Sequence, residues 1–258
     1  MEILKKIIFK ILSNKTLTYV KKYHYHLKLK NAEPSDEEDL PMIKNLIKKN
    51  SDVIDIGANF GLYTKFLSKY VGMNGRVLSF EPIHETFNYL TNNISKLKLK
   101  NVTPIEIAVS DKKGKSIMQV PKFDDNRTNF YEAKIIEEPD NLLPNFEVET
   151  NTLDEICKQH NFKPSFIKCD VEGHEWSVFK GAIDVITRYK PLLLIEINEE
   201  LTHPDLNTAE LLDYLNKQGY QLFVNHYNRL TKWDSEKKVN YYFLTEEHVK
   251  NLSDFILN

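Results

Sequence analysis

The chain has 258 residues, of which 41% are hydrophobic and 28% charged, a composition typical of a globular protein with one sizeable domain. The net charge of −2 is unevenly spread: residues 1–30 hold eight lysines and one acid, and the rest holds 27 basic and 36 acidic residues. The acidic part of the chain after residue 30 repels phosphate backbones, which argues against a nucleic-acid substrate. Two cysteines, Cys157 and Cys169, are too few for a disulfide framework, so we expect reduced thiols and a cytoplasmic location.

The first 40 residues are predicted to form an N-terminal extension and linker. Apolar residues recur at helical spacing over residues 3–12, with lysines on the other side. This helix could pack on the body, form a homodimer, or lie on an anionic membrane as a peripheral contact through residues 1–30. Residues 31–40 are acidic and include Pro34, as in a linker, so the main domain is predicted to cover residues 41–258.

From Asp52 onward, short apolar strands alternate with helical patterns. Strands are predicted at 52–57, 76–82, 102–110, 115–120, 165–170 and 191–198, and helices at 63–71, 85–97 and 175–188. This alternation indicates βαβ crossovers and a largely parallel sheet covered on both faces. Two further strands, 220–226 and 239–245, have no helix between them and are predicted to be antiparallel.

An insertion at residues 121–150 interrupts this alternation. It holds three prolines and eight acids against three basic residues. Long insertions in α/β domains commonly form lids or binding loops. We therefore expect it to cover an acceptor molecule, with Arg127 and Asn129 as candidate contacts.

The stretch "VIDIGANFGLYT" predicts a ligand-binding turn at a strand end. Gly57 and Gly61 permit close backbone approach, but the spacing is not the G-x-G-x-x-G of dinucleotide sites, and Asp55 would repel a pyrophosphate. Glu81 ends the next strand, where an acid accepts hydrogen bonds from ribose hydroxyls. Asp55 suits an ammonium group and Glu81 suits a ribose, and S-adenosylmethionine carries both groups. We therefore expect S-adenosylmethionine as the cofactor. The candidate cofactor-binding residues are Asp55, Gly57, Ala58, Asn59, Gly61, Glu81, Pro82, Ala108 and Asp170.

A second motif points to a family. "FIKCDVEGHEWSVFKGA" (166–182) closely resembles the K-x-D-v-E-G-x-E…l-k-G block of FkbM-type methyltransferases, and "PLLLIEIN" resembles the strand that follows it there. The resemblance covers roughly residues 52–198. It implies a Rossmann-like class I methyltransferase fold, α/β, with a seven-stranded, mostly parallel sheet whose last strand is antiparallel. It also implies methyl transfer to hydroxyls of sugars or natural products.

Methyl transfer to a hydroxyl needs alignment of the acceptor and profits from a base. Asp170, Glu172 and His174 follow one strand and are the candidate catalytic residues, with Glu172 and His174 competing as the base. Glu196 and Asn198 end the neighbouring strand and are candidate substrate contacts. Asp170, Glu172 and Glu196 could together hold Mg²⁺, but strand-end carboxylates are common without an ion, so no metal ligands are assigned.

Three alternatives to an O-methyltransferase acting on a glycan remain open. An N-methyltransferase acting on an amino sugar or amino-acid decoration is the nearest. A nicotinamide oxidoreductase would need a third glycine in the turn. A non-catalytic methyltransferase-like subunit is disfavoured by the intact candidate residues.

Overall fold

The computed structural model describes residues 14–123, 128–136 and 138–257. The described chain forms a central eight-stranded sheet, a smaller four-stranded sheet and flanking helices. The strands are β1 (Asp52–Ile56), β2 (Arg76–Phe80), β3 (Val102–Ile105), β4 (Ala108–Val109), β5 (Gly114–Gln119), β6 (Lys134–Ile136), β7 (Asn145–Asn151), β8 (Pro164–Cys169), β9 (Leu192–Glu196), β10 (Tyr220–His226), β11 (Arg229–Lys232) and β12 (Asn240–Thr245). The α-helices are α1 (Asn14–Asn31), α2 (Leu40–Leu46), α3 (Leu62–Val71), α4 (His84–Leu97), α5 (Leu153–Gln159), α6 (Glu175–Lys180), α7 (Ile183–Tyr189), α8 (Leu206–Lys217) and α9 (Glu246–Asn251).

The central sheet has the strand order β11-β10-β12-β9-β8-β1-β2-β3. Strands β3, β2, β1, β8 and β9 are parallel, whereas β12 is antiparallel to both β9 and β10. The predicted parallel sheet with an antiparallel ending is therefore present. The chain runs outward from β1 to β3 and returns at β8, so the carboxyl ends of β1 and β8 border the crevice in which such sheets bind ligands.

The sheet has one strand more than the seven that the family resemblance implied. The extra edge strand, β11, lies in the segment that was predicted only to connect β10 and β12. Tyr227 and Asn228 both have positive φ, 50° and 63°, and join His226 to its partner Arg229 in a two-residue turn. Such a turn matches the right-handed twist of a hairpin, but the pair lacks the glycine that usually marks it in a sequence.

Two predicted elements divide in the structure. The strand predicted at 102–110 becomes β3 in the central sheet and β4 in the small sheet, whose order is β4-β7-β5-β6. The insertion supplies β6, and β7 begins within it, so it is partly ordered sheet. The helix predicted at 175–188 breaks into α6 and α7 at Gly181, where a side chain would collide with the carbonyl oxygen of Ser110.

Alternate residues of the central strands face two different apolar clusters. Ile54 and Ile167 belong to one cluster, and Val53 and Phe166 belong to the other, together with residues of α2 and α3. This is the two-residue period of a strand buried on both sides. Lys168 follows Phe166 by two residues and therefore lies on the α3 side of the sheet.

The described part of the N-terminal extension packs on the domain. In α1, Tyr25 stacks on Tyr89 of α4 with 4.7 Å between ring centroids, and Leu29 is buried. Lys21 forms an ion pair with Glu85 at 2.7 Å. The helix predicted over residues 3–12 lies outside the described residues, and the boundary at residue 40 stays a prediction. No described helix combines the length and apolar character that crossing a bilayer would require.

Candidate functional site

A cavity of about 280 Å³ lies at the carboxyl ends of the central strands, near the lower end of the ~300–1,000 Å³ of small-molecule sites. It brings together most of the residues predicted from the sequence. Those that line it are Gly57, Ala58, Asn59, Glu81, Pro82, Ala108, Asp170, Glu172, His174 and Glu196. The structure thus joins the candidate cofactor turn and the candidate catalytic residues in one site.

The glycine turn is held against the ends of two strands. The amide N–H groups of Gly57 and Ala58 both donate to the carbonyl oxygen of Phe80, at 3.0 and 2.8 Å. Gly57 has φ +81°, and a Cβ there would collide with the carbonyl of Asp170. Gly61 has φ +100° and precedes α3. Gly61 does not line the cavity, and the structure shows it turning the chain into the helix; a direct contact between Gly61 and a ligand stays a prediction.

Glu81 lies on the cavity wall, but much of its hydrogen-bonding capacity is used by the protein. Oε2 accepts from the amide of Asn59 at 2.9 Å, and Oε1 accepts from the amide of Ile83 and the hydroxyl of Thr86 at 3.1 and 2.6 Å. A carboxylate has about four acceptor positions, so one remains on Oε2. Burial raises the pKa of Glu81 to about 7. The side chain both fixes the turn and can accept from a ligand hydroxyl.

Asp55 is placed differently from the prediction that it contacts a ligand directly. Its side chain is fully buried and does not line the cavity. Oδ2 accepts from the Thr64 hydroxyl at 2.6 Å, whereas Oδ1 has no hydrogen-bond partner among the described residues. Asp55 is paired in register with Lys168 on β8. The sequence pattern could not distinguish a carboxylate that faces the ligand from one that lies below the turn beside a buried lysine.

Lys168 is the buried cation of the site. Its Nζ lies 2.7 Å from Oδ2 of Asp170 and 4.8 Å from the centroid of the Tyr63 ring, and the side chain is 3% exposed. Burial lowers the pKa of this ammonium, but the carboxylates of Asp170 and Asp55 more than offset that effect and leave the pKa raised. Lys168 therefore stays charged and fixes the orientation of Asp170.

Two further carboxyl groups have pKa values suited to proton transfer near neutrality. Burial, with the charge of Asp170, raises the pKa of both Glu172 and Glu196 to about 7. Glu172 has a positive φ of 51°, and its Oε2 accepts a hydrogen bond from Asn198 Nδ2 at 3.0 Å. A residue held in this sparsely populated region is frequently functional.

The imidazole of His174, the other candidate base, already forms a hydrogen bond with another side chain. Its Nε2 lies 2.9 Å from the hydroxyl of Ser110, and burial lowers its pKa. It also precedes α6 directly, as expected for the start of that helix. The geometry therefore favours Glu172 over His174 as the base.

The candidate metal ligands do meet. Oxygen atoms of Asp170, Glu172 and Glu196 lie within 4.8 Å of one another, which would suit Mg²⁺. A bound cation is one way to relieve the repulsion between these carboxylates. Protonation of Glu172 and Glu196, whose pKa values are raised, is another, because it removes their charge. A divalent ion stays an alternative here.

A second cavity, of about 640 Å³, adjoins the first. The two share Glu172 and Glu196 as lining residues. The end of β5, the insertion and the segment after β9 supply the other residues of the second cavity: Gln119, Pro121, Glu132, Lys134, Leu143 and Asn198. Of the predicted acceptor contacts, Arg127 lies outside the described residues. Asn129 lines neither cavity and instead caps the short 3-10 helix Phe130–Glu132 by accepting a 3.2 Å bond from Tyr131 N, so its contact with an acceptor stays a prediction.

The first cavity also includes residues that the sequence did not single out. Glu37, from the segment predicted as a linker, and Tyr63, from the first turn of α3, both line it, as does Tyr131 of the insertion. Tyr63 could have been suspected because it follows the glycine turn by two residues. Nothing local in the sequence indicates Glu37 or Tyr131, because their positions depend on how α1 and the insertion fold back.

Comparison with known families assigns the chain. Residues 55–222, about two thirds of its length, match the model of the methyltransferase FkbM domain. The chain belongs to the FkbM methyltransferase family. The match includes the glycine turn, Glu81 and the block at residues 166–182 that carried most of the resemblance.

Individual relatives are more distant. Hexuronic acid methyltransferase AglP of Haloferax volcanii is 26% identical over 160 residues, which is 61% of this chain and 61% of that protein. The crystal structure of methyltransferase FkbM from Methylobacillus flagellatus KT superposes with a TM-score of 0.52 at 21% identity, over 77% of this chain and 44% of that one. Cofactor-bound Rv0187 from MTB has a TM-score of 0.50 at 11% identity, over 94% and 95% of the two chains. Both structural likenesses show the fold alone.

Proposed function

We propose that this protein transfers a methyl group from S-adenosylmethionine to a sugar hydroxyl of a glycan, glycoconjugate or natural product. The observation that carries this is the arrangement of the two cavities, one bordered by the glycine turn and Glu81, the other by the insertion, with Glu172 at their common edge. Family membership and the sugar-modifying relative support the same proposal.

The residues of the first cavity fit this donor. The free acceptor position of Glu81 suits a ribose hydroxyl, and the apolar side chains of Ile83, Ile107 and Val109 suit an adenine ring. Among the described residues, five carboxyl groups and one lysine line it: Glu37, Glu81, Asp170, Glu172, Glu196 and Lys168. A negative cavity favours a cationic sulfonium and repels a pyrophosphate, which argues against a nicotinamide dinucleotide.

Catalysis by this chain consists of positioning and proton removal. When bound, S-adenosylmethionine supplies an electrophilic methyl group. Glu172 accepts the proton of the acceptor hydroxyl, and a carboxyl pKa near 7 keeps it basic enough for that role at neutral pH. Asn198 orients the Glu172 carboxylate, and Lys168 holds Asp170 at the floor.

The second cavity is the acceptor side of this proposal. Carboxylate and amide groups of Glu132, Gln119 and Asn198 can bond to sugar hydroxyls, while Pro121 and Leu143 offer apolar surface to the ring carbons. Arg127, in the same insertion, remains a proposed contact. The relative from Haloferax volcanii is named for hexuronic acid, so acidic sugars belong among the acceptors to be tried.

The test is transfer of a labelled methyl group from S-adenosylmethionine to a panel of neutral, acidic and amino sugars, free and glycan-bound. We expect label on a hydroxyl, and we expect Glu172→Gln to lower kcat by about 100-fold or more with donor affinity retained. His174→Gln is the matched variant and should lower kcat by a smaller factor. Label only on an amino group would favour the N-methyltransferase, and full activity of Glu172→Gln would remove it as the base.

A further inference from the structure

One face of α1 exposes a group of large side chains to solvent. Tyr19 is 66% exposed, Tyr23 65%, Val20 49% and Leu27 37%. Tyr19, Tyr23 and Leu27 follow one another at intervals of four residues, and Val20 lies three residues before Tyr23, so the four side chains share one side of the helix. A contiguous exposed row of aromatic and aliphatic residues is a feature of surfaces that bind a partner.

The opposite face of α1 is firmly attached, so the exposed row is a fixed feature of the domain surface. Tyr25 stacks on Tyr89, and Leu29 is buried beside Phe60. Lys65 of α3 donates to the carbonyl oxygens of Leu29 and Ala32, at 2.8 and 2.7 Å. These bonds tie the C-terminal end of α1 to α3.

The charge of α1 indicates what binds there. Its 18 residues include five lysines, two histidines and no acid, whereas the chain beyond residue 30 carries 27 basic and 36 acidic residues. Lys30 is exposed near Leu27, and Lys22 is half-buried next to Tyr23 in the sequence. A positive helix on a negative body is complementary to an anionic surface and orients the protein toward it.

We infer that α1 docks this protein on an anionic phospholipid surface, with Tyr19, Tyr23, Val20 and Leu27 in the headgroup region. Tyrosine suits this layer because its ring is apolar and its hydroxyl is polar, and lysine extends its ammonium to the headgroups. At 1.5 Å per residue α1 is about 27 Å long, enough to lie flat on a bilayer. A symmetric dimer through this face would bring two lysine-rich helices together, which their charge opposes.

Docking through α1 would place the donor cavity near the lipid. Lys28 lies 4.9 Å from the ring centroid of Phe60 and 5.7 Å from that of Tyr131, and both rings line the cavity. The C-terminal half of α1 is therefore attached to the cavity wall. The inference does not depend on the proposed function, since it concerns a surface outside both cavities.

The experiment is co-sedimentation of the full chain with vesicles of phosphatidylcholine alone or mixed with phosphatidylglycerol. We expect binding to the anionic vesicles, a weaker response at high salt, and a loss of affinity of about tenfold or more in the double variant Tyr19→Ser with Tyr23→Ser. Tyr227→Ser is the matched control, because Tyr227 is 97% exposed in the β10–β11 turn and should be without effect. Circular dichroism of each variant checks that it folds.

Three outcomes would overturn the inference. Equal binding to both kinds of vesicle, or to neither, would remove the anionic surface as the partner. Undiminished binding by the folded double variant would assign docking to another segment, such as residues 1–13. A dimer in lipid-free solution that the double variant converts to a monomer, measured by light scattering, would identify the face as an interface between two copies.

Discussion

Lys168 lies on β8 next to Asp55 of β1, and its buried ammonium pairs with Asp170. Replacing Lys168 by methionine removes that ammonium. Methionine has a similar length and leaves little empty volume, so the change isolates the charge. In the variant, the buried carboxylate of Asp55, whose Oδ1 already has no partner among the described residues, loses its neighbouring cation as well. Removing one member of a buried pair usually costs about 3–5 kcal/mol, and we expect Lys168→Met to lower the free energy of unfolding by about that amount at pH 8.

The pH dependence distinguishes lost charge from lost packing. Burial raises the pKa of Asp55, and loss of Lys168 raises it further. A carboxyl with a raised pKa in the native state binds more protons there than when unfolded, so stability rises as the pH falls. The loss of stability caused by Lys168→Met should therefore be smaller at pH 6 than at pH 8. Adding Asp55→Asn to this variant should restore part of the lost stability.

The assay is urea unfolding monitored by circular dichroism. Lys217→Met is the matched control, because it breaks an exposed ion pair with Asp213 and should cost less than about 0.5 kcal/mol. A cost below about 1 kcal/mol for Lys168→Met, or one that is the same at both pH values, would refute the argument that this lysine balances buried carboxylates.

Three other predictions concern the turn and the base. Gly57→Ala should lower the free energy of unfolding by at least about 2 kcal/mol more than Gly219→Ala does. Both glycines have positive φ, but only Gly57 lies against the carbonyl of Asp170. Urea unfolding measures both variants, and equal losses of stability would contradict the close approach. The methyl-transfer rate should fall as the pH drops below about 7, because Glu172 must be ionised to act. Asn198→Ala should move that acidic limb to higher pH, because the amide stabilises the carboxylate, and an unmoved limb would exclude Glu172 as its source.

Much of the central sheet followed from local pattern. The alternation of apolar strands and helices predicts β1, β2, β8 and β9 within a few residues, because a strand buried on both faces is continuously apolar. The glycine turn and Glu81 were found because their spacing along the chain reflects a local strand–turn–helix unit. The two cysteines were expected to be reduced, and both are free and buried.

What the sequence could not predict depends on contacts between distant segments. The position of Asp55 below the turn follows from its register with Lys168, more than 100 residues away. The small sheet depends on pairing of β5 with β7 across the insertion. The choice of Glu172 over His174 rests on the bond between His174 and Ser110, which no sequence spacing reveals.

Calorimetric titration with S-adenosylhomocysteine tests the central claim, that the cavity beside the glycine turn holds an S-adenosyl nucleoside through Glu81. At pH 8, above the pKa of about 7 of the Glu81 carboxyl, we predict one binding site per chain and, for Glu81→Gln, a loss of affinity of about tenfold or more, since a charge-assisted hydrogen bond is removed. Glu85→Gln is the matched control, because Glu85 pairs with Lys21 and does not line the cavity. Absence of binding by the wild-type chain, or equal binding by both variants, would contradict the account.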